Sequence, residues 1–311
     1  MGILFFENID LIGLSPYQMC MLFLIWAFLG WGMEVCVHAL KMGEYSNRGF
    51  LSMPICPIYG FGVLIIMTVL RPVLDVPVAL FFLSSLICTS FELAVGVAMK
   101  KLFHSMWWDY SDEHFNFHGY ICLKVSIEWG VACLIAMTFV MPVTQAIIAL
   151  IPQTVGVVII IISAVLIAID TVNSVAAANR ITLRLKEIAE ISAQMYEHSQ
   201  DLGGALAGAA LDTAEKGTQL VTAVQTSAGE AADVAAGLAD NIGTDIAENL
   251  SDASRRLRMR YDAIVAFTAD KREVRMLKAF PTMHPDDNED VFKLIKSVIK
   301  GEKKIEDIIR L

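Results

Sequence analysis

Three glutamates stand where carboxylates are expensive. Glu34, Glu92 and Glu128 each interrupt an apolar run, and an ionisable side chain in such a run usually faces a bundle interior or a water-filled cavity. Glu34 lies six residues before Leu40, Glu92 eight before Lys100, and Glu128 four after Lys124. At about 1.5 Å per helical residue, all three fall roughly 6–12 Å from the same edge of an apolar layer. His38 is one turn from Glu34 on the same face. Carboxylates at one depth on three helices predict a shared polar site that binds a cation or protonated amine, or relays protons. The structural alternative is that each pairs with a Ser, a Trp or a backbone group and only locks helix packing.

Two loops at that edge carry the other unusual chemistry. The first reads Asn47-Arg48-Gly49-Phe50-Leu51, then Pro54-x-x-Pro57-x-Tyr59-Gly60-Phe61-Gly62. Prolines and glycines at a helix start predict irregular backbone, which is tolerated at membrane depth only where protein buries it or it lines a cavity. The second loop holds Trp107-Trp108-Asp109-Tyr110-Ser111 and Asn116-Phe117-His118-Gly119-Tyr120. Trp107 and Tyr120 fit an interfacial aromatic belt. A belt does not call for Arg48, Asp109 or Asn116, which either form the mouth of the polar site or act as turn formers and a loop ion pair. The candidate site is therefore Glu34, His38, Asn47, Arg48, Glu92, Trp108, Asp109, Asn116 and Glu128.

The elements that must position these residues follow from composition. The 311 residues are 56% hydrophobic and 18% charged, where a soluble domain is about 25% charged. Of the 57 Lys, Arg, Asp and Glu residues, 40 lie in the last 136, which excludes both one ordinary soluble domain and a chain buried throughout in lipid. A spanning helix needs roughly 20 mostly apolar residues. Stretches at about 19–40, 51–70, 76–99, 120–141 and 154–175 qualify, which predicts an all-α, polytopic membrane helix bundle with a helical tail. Residues 1–18 carry Glu7 and Asp10 but no Lys or Arg, unlike a signal peptide. They read as an external segment before a retained helix.

Orientation follows from the basic residues, which favour the cytoplasmic side. With the N-terminus outside, Lys41, Arg48, Lys100, Lys101, Lys124, Arg180, Arg184 and Lys186 lie inside and only Arg71 lies in an outer loop. The six cysteines all fall in the apolar half without a C-x-x-C pair, a spacing that suits small buried hydrophobes better than a disulfide or zinc framework.

The tail, 176–280, begins as a continuation of the fifth helix. Residues 197–252 hold ten acidic residues and one basic, and 253–278 hold eight basic and three acidic. Leu238, Ile242, Ile246 and Leu250 recur at helical spacing, so an amphipathic helix or coiled-coil hairpin is expected, with partial disorder as the alternative. The Arg255-Arg256-x-Arg258-x-Arg260 cluster either pairs with the acidic stretch or touches anionic lipid. A short helix follows within 281–311.

Gly30-Trp31-x-x-Glu34, Asn47-Arg48-Gly49-Phe50, Pro57-Ile58-Tyr59-Gly60-Phe61-Gly62, Trp108-Asp109-Tyr110-Ser111 and Glu128-Trp129-Gly130, in this order, resemble the CmpB-type ABC-transporter type IV membrane proteins, a domain also found in small vertebrate transmembrane proteins. Met276-Leu277-Lys278-Ala279-Phe280-Pro281 resembles the tail of bacterial members. The resemblance implies a bacterial plasma-membrane protein. The chain has no G-x-x-x-x-G-K-[ST], H-E-x-x-H or G-x-S-x-G, so an ATPase subunit, if one serves it, is a separate chain. No cofactor and no nucleic-acid partner is expected; the lipid bilayer is, and self-association through the tail is a further option. The leading expectation is a transport or permease-like component. The alternatives are a membrane-embedded enzyme acting on a lipid or isoprenoid head group, and a scaffold or sensor.

Overall fold

A computed structural model of the chain describes residues 14–43, 45–226, 252, 255–256 and 258–302. The first thirteen residues of the expected external segment, the acidic stretch over 227–251 and the chain beyond 302 lie outside the described residues. Two compact units result: Met1–Thr182 with Asp270–Glu289, and Leu183–Ala269 with Asp290–Leu311.

The first unit is a helix bundle. Helix α1 (Pro16–Met42) starts from a Ser15 capping box with Gln18 and stops at Gly43, whose φ of 74° suits a residue without a Cβ. Helix α2 (Pro57–Val69) is short, and a 3₁₀ turn at Arg71–Val73 leads to α3 (Pro77–Phe103). Helix α4 (Leu123–Ile135) passes through a π turn at Ala136–Val140 into α5 (Met141–Leu150), and α6 (Gln153–Thr226) completes the set. Pro16–Lys41, Pro77–Phe103, Leu123–Leu150 and Gln153–Gln194 are long and apolar enough to cross a membrane. Phe82, Leu86, Phe139, Val143, Leu150 and Val172 are exposed on their surfaces, as side chains solvated by lipid would be. The chain is an all-α, multi-pass membrane protein.

Two boundaries differ from the sequence reading for identifiable reasons. The fourth span does not stop near residue 141. Pro142 sits in the first turn of α5, directly after a π turn that absorbs the hydrogen bond a proline cannot donate, and the helix runs on to Leu150. The second span does not begin at Leu51. Residues 45–56 are non-helical and run back along α1, where the Cys56 N–H donates to the Ala27 carbonyl at 2.8 Å. Leu51 and Ile55 are buried with Ala27, and the Met53 N–H donates to Asp170. Ala27 lies fifteen residues before Met42, about 22 Å along the helix. Helix α2 therefore starts deep in the bundle, and its thirteen residues cover only about 20 Å.

Gly30 makes the α1–α2 approach possible, because a Cβ there would overlap the Tyr59 ring. The loop between α3 and α4 forms a small hairpin of β2 (Asn116–Phe117) and β3 (Ile121–Cys122), turned by His118 and Gly119 at φ 51° and 73°, the left-handed pair a tight hairpin prefers. A distant segment closes the same end. Strand β1 (Ser105–Met106) pairs with β4 (His284–Pro285), and the connection to β4 is a short helix, Lys271–Ala279, capped by Asp270.

In the second unit, a helix over 258–269 lies beside α6, with Arg184 donating to the Ala266 carbonyl and Arg256 to Gln194. Leu185, Ile188, Ile264 and Phe267 are buried there, as are Phe292 and Ile295 of the helix Glu289–Ile299.

Candidate functional site

Two carboxylates sit in contrasting surroundings near the end of the bundle that carries both loops. Glu34, on α1, accepts a 2.5 Å hydrogen bond from the Tyr59 hydroxyl and lies 3.9 Å from the Arg48 guanidinium. Arg48 is positioned in turn by the returning loop and the helix Lys271–Ala279. Its guanidinium donates to the Ala279 carbonyl and lies 5.9 Å from the centre of the Phe280 ring.

Glu92, on α3, is 7% exposed. One of its oxygens accepts from the Tyr110 hydroxyl and the other from the Trp129 indole, both at 3.1 Å. Among the described residues no cation pairs with it. These distances are long for charge-assisted bonds, which run about 2.7–2.9 Å for nitrogen donors. Burial first, and then the charge of Glu92, pushes the Tyr110 phenol well above its ordinary range, so it remains a donor. The rings of Tyr59 and Trp129 lie 5.6 Å apart and connect the two carboxylates' surroundings.

Between α1, α2, α3 and α4–α5 lies a cavity of about 400 Å³ whose lining is almost wholly apolar, within the size range of small-molecule sites. Glu92, Tyr59, Trp26 and Trp129 are the residues of its wall that carry oxygen or nitrogen in their side chains, the Trp26 indole N–H being buried without a hydrogen-bond partner among the described residues, and Met137 and Val140 of the π turn line it farther along. The free thiols of Cys88 and Cys133 also line it, 3.7 Å apart.

Of the nine residues singled out in the sequence, Glu92 lines the cavity and Glu34 reaches its edge through Tyr59. Glu128 does neither. It is exposed, beside a shallow depression formed with His114, Phe115 and Lys124. His38 is buried and does not line the cavity. Asn47 accepts from the Trp31 indole at 2.8 Å and from the Gly49 N–H, and donates to the Ser52 carbonyl, so it fixes the returning loop beside Glu34. Trp108 donates to the Tyr120 carbonyl and packs over Gly96.

Asp109 and Asn116 hold the second loop. Asp109 accepts from the Ser111 N–H and hydroxyl and lies 3.3 Å from His284. Burial opposes its ionisation, but the two Ser111 bonds and His284 outweigh it and keep the carboxyl below the usual aspartate range. Asn116 donates to the carbonyls of Ser111 and Glu113. Among the described residues no group of three or more His, Cys, Asp and Glu is placed to hold a metal ion.

The sequence reading does not assign Tyr59, Tyr110, Trp129 or Arg275 to the site. Trp129 carries a usable signal: with Ala132, Cys133, Ala136, Met137 and Val140 it forms a helix-spaced stripe, all of it lining the cavity. Arg275 carries none. It donates to the carbonyls of Gly49, Phe50 and Leu51 at 2.9–3.2 Å, across more than two hundred residues of chain.

A multi-pass helix bundle with a buried acid against an apolar cavity defines a class of integral membrane protein, and comparison gives it a family. Residues 21–175 match the family described as "Putative ABC-transporter type IV", and through this membrane domain the chain belongs to that family. No match was found among curated proteins or among solved structures.

Proposed function

We propose that the protein is the membrane-embedded, permease-like component of a bacterial transport system, with the Arg48 end facing the cytoplasm and any ATPase supplied by a separate chain. The observation that carries this reading is Glu92, a buried carboxyl with no countercharge among the described residues, at one end of an apolar cavity. Burying an ionised carboxyl with only neutral donors is costly, while its bond from Trp129 joins α3 to α4 as the packing alternative also requires. Transporters build comparable sites where a helix is interrupted inside the bilayer, and α2 starts deep in the bundle after a non-helical segment. Lys41, Arg48, Lys100 and Lys101 cluster at the same end, which supports the orientation.

The test is solute movement in membrane vesicles from the native host, which contain any partner ATPase, with the chain overproduced. Flux of labelled organic cations, anions and neutral solutes is compared with and without ATP. Overproduction should raise flux of one class, and Tyr59→Phe or Glu92→Gln should lower it by about tenfold, the scale of one charge-assisted hydrogen bond. Unchanged flux for every class, with the protein correctly inserted, rejects the reading. A C-terminal reporter active outside the cell rejects the orientation.

A further inference from the structure

The cavity is elongated, and its two ends differ in chemistry. On α4–α5 its wall runs from Trp129 to Val140, eleven residues or about 16 Å of helix. On α2 it runs from Ile58 to Ile66, about 12 Å. Leu29, Val63, Ile66, Ala136, Met137 and Val140 make the far part hydrocarbon in character. At the near end stand Glu92 and the rings of Tyr59 and Trp129. No Lys, Arg or His lines the cavity among the described residues.

This combination selects a ligand. A long apolar slot accepts an alkyl chain. A carboxylate has room for about four hydrogen bonds over its two oxygens, and Glu92 receives two, both from neutral groups. Indole and phenol faces attract ammonium groups within about 6 Å. An anionic head would meet Glu92 with no described cation lining the cavity to offset it, and a neutral head would leave the carboxyl uncompensated.

We propose that the cavity binds a single-chain amphiphile with a protonated amine head, the chain lying between α1, α2 and α4–α5 and the ammonium against Glu92, Tyr59 and Trp129. The bound amine supplies the countercharge that no described residue provides. This deepens the transport reading and rests on it for the role of the site. It also separates the two glutamates: Glu34 already has Arg48, so an ammonium gains less there.

The experiment uses the full chain in phosphatidylcholine nanodiscs at neutral pH, titrated with 12-bromododecylamine, 12-bromododecanol or 12-bromododecanoate. Bromine quenches indoles at contact, and Trp26 and Trp129 both line the cavity. The amine should quench saturably, with an affinity at least about tenfold above the alcohol, the scale of one hydrogen bond to a charged group. The carboxylate should show only non-saturable partitioning. Glu92→Gln should bring amine and alcohol to within about twofold. Ala132→Phe, which fills the slot and leaves Glu92 in place, should abolish saturable quenching by the amine. Equal binding of amine and alcohol, tighter binding of the carboxylate, or an amine preference that survives Glu92→Gln overturns the proposal. The comparison of the three probes on the unmodified chain decides the matter even if neither variant folds. Because the assay reads binding alone, amine binding without flux sinks the transport reading and keeps the ligand class. Flux of some solute without amine preference does the reverse.

Discussion

Glu34 and Glu92 occupy comparable levels on two helices that line one cavity, yet the protein compensates them in opposite ways. Around Glu34 the chain brings in a cation from a loop that turns back into the bundle, and it anchors that cation from a helix more than two hundred residues away. Around Glu92 it brings in only a phenol and an indole. The first arrangement is closed: charge meets charge, and Arg48 also has a carbonyl and a ring to hold it. The second has no cation among the described residues, and Glu92 lies in the wall of the cavity. A carboxylate paired with arginine has its countercharge within the fold, whereas one held by neutral donors still favours any cation that reaches it. On the proposal made above, this difference assigns the Glu92 side to ligand and the Glu34 side to the framework that keeps Tyr59 and the returning loop in position.

If that division holds, the largest effect comes from removing the anchor of the framework. Arg275→Ala deletes three hydrogen bonds from a half-buried guanidinium to the consecutive carbonyls of Gly49, Phe50 and Leu51. The expected loss is about 3 kcal/mol, taking charge-assisted bonds at roughly 1.5–3 kcal/mol each and allowing for partial rehydration. Amides of residues 45–56 and 271–279 should then exchange hydrogen at least about a hundredfold faster, because 1.4 kcal/mol is a factor of ten. Exchange that stays as slow as in the unmodified chain means that the helix Lys271–Ala279 does not hold the loop.

A smaller and more discriminating effect separates the carboxylates themselves. Tyr110→Phe leaves Glu92 with Trp129 alone, whereas Tyr59→Phe leaves Glu34 with Arg48. Losses of about 2 kcal/mol for the first and about 1 kcal/mol for the second are expected from the worth of a hydrogen bond to a charged group with and without a remaining cation. Thermal unfolding in nanodiscs reads the order. If Tyr59→Phe costs as much as Tyr110→Phe, the two sites are compensated alike and the comparison breaks.

Part of this contrast is legible in the amino-acid sequence, and the limit is physical. Apolar runs and basic residues reveal spans, because lipid requires both length and hydrophobicity. They do not reveal what lies inside a span's boundary: Leu51 to Cys56 is apolar enough to read as helix, yet it is non-helical, with Pro54 and Pro57 and a bond to Ala27 holding it so. Depth is also readable for Glu34, Glu92 and Glu128, but depth is one coordinate and a helix has a second, its face. Glu128 and Trp129 are consecutive, hence about 100° apart around α4. Trp129 lines the cavity and Glu128 is exposed, so equal depth does not mean a shared site. The tail's contribution stays hidden because pairings such as Arg275 with Gly49 or Ser105 with Pro285 have no local pattern to betray them.

The smallest expected effect tests the outer tie between the second loop and that tail. Asp109 has its carboxyl held below the usual aspartate range by Ser111 and His284, against the opposing effect of burial. The folded value lies below the unfolded one, near 3.9, so in the interval between them the unfolded chain binds more protons and stability rises with pH. The contribution is complete above about pH 5 and disappears as pH falls through the folded value. The pair is partly exposed, with side-chain accessibilities of 34% for His284 and 26% for Asp109, so its worth is below about 1 kcal/mol. Asp109→Asn should flatten the acid limb of the stability curve between about pH 5 and 2. It should do so without altering the tenfold amine preference at Glu92, because Asp109 belongs to the loop framework and not to the cavity. An acid limb identical to that of the unmodified chain places the acid sensitivity elsewhere, and a changed amine preference means that loop and cavity are one site after all.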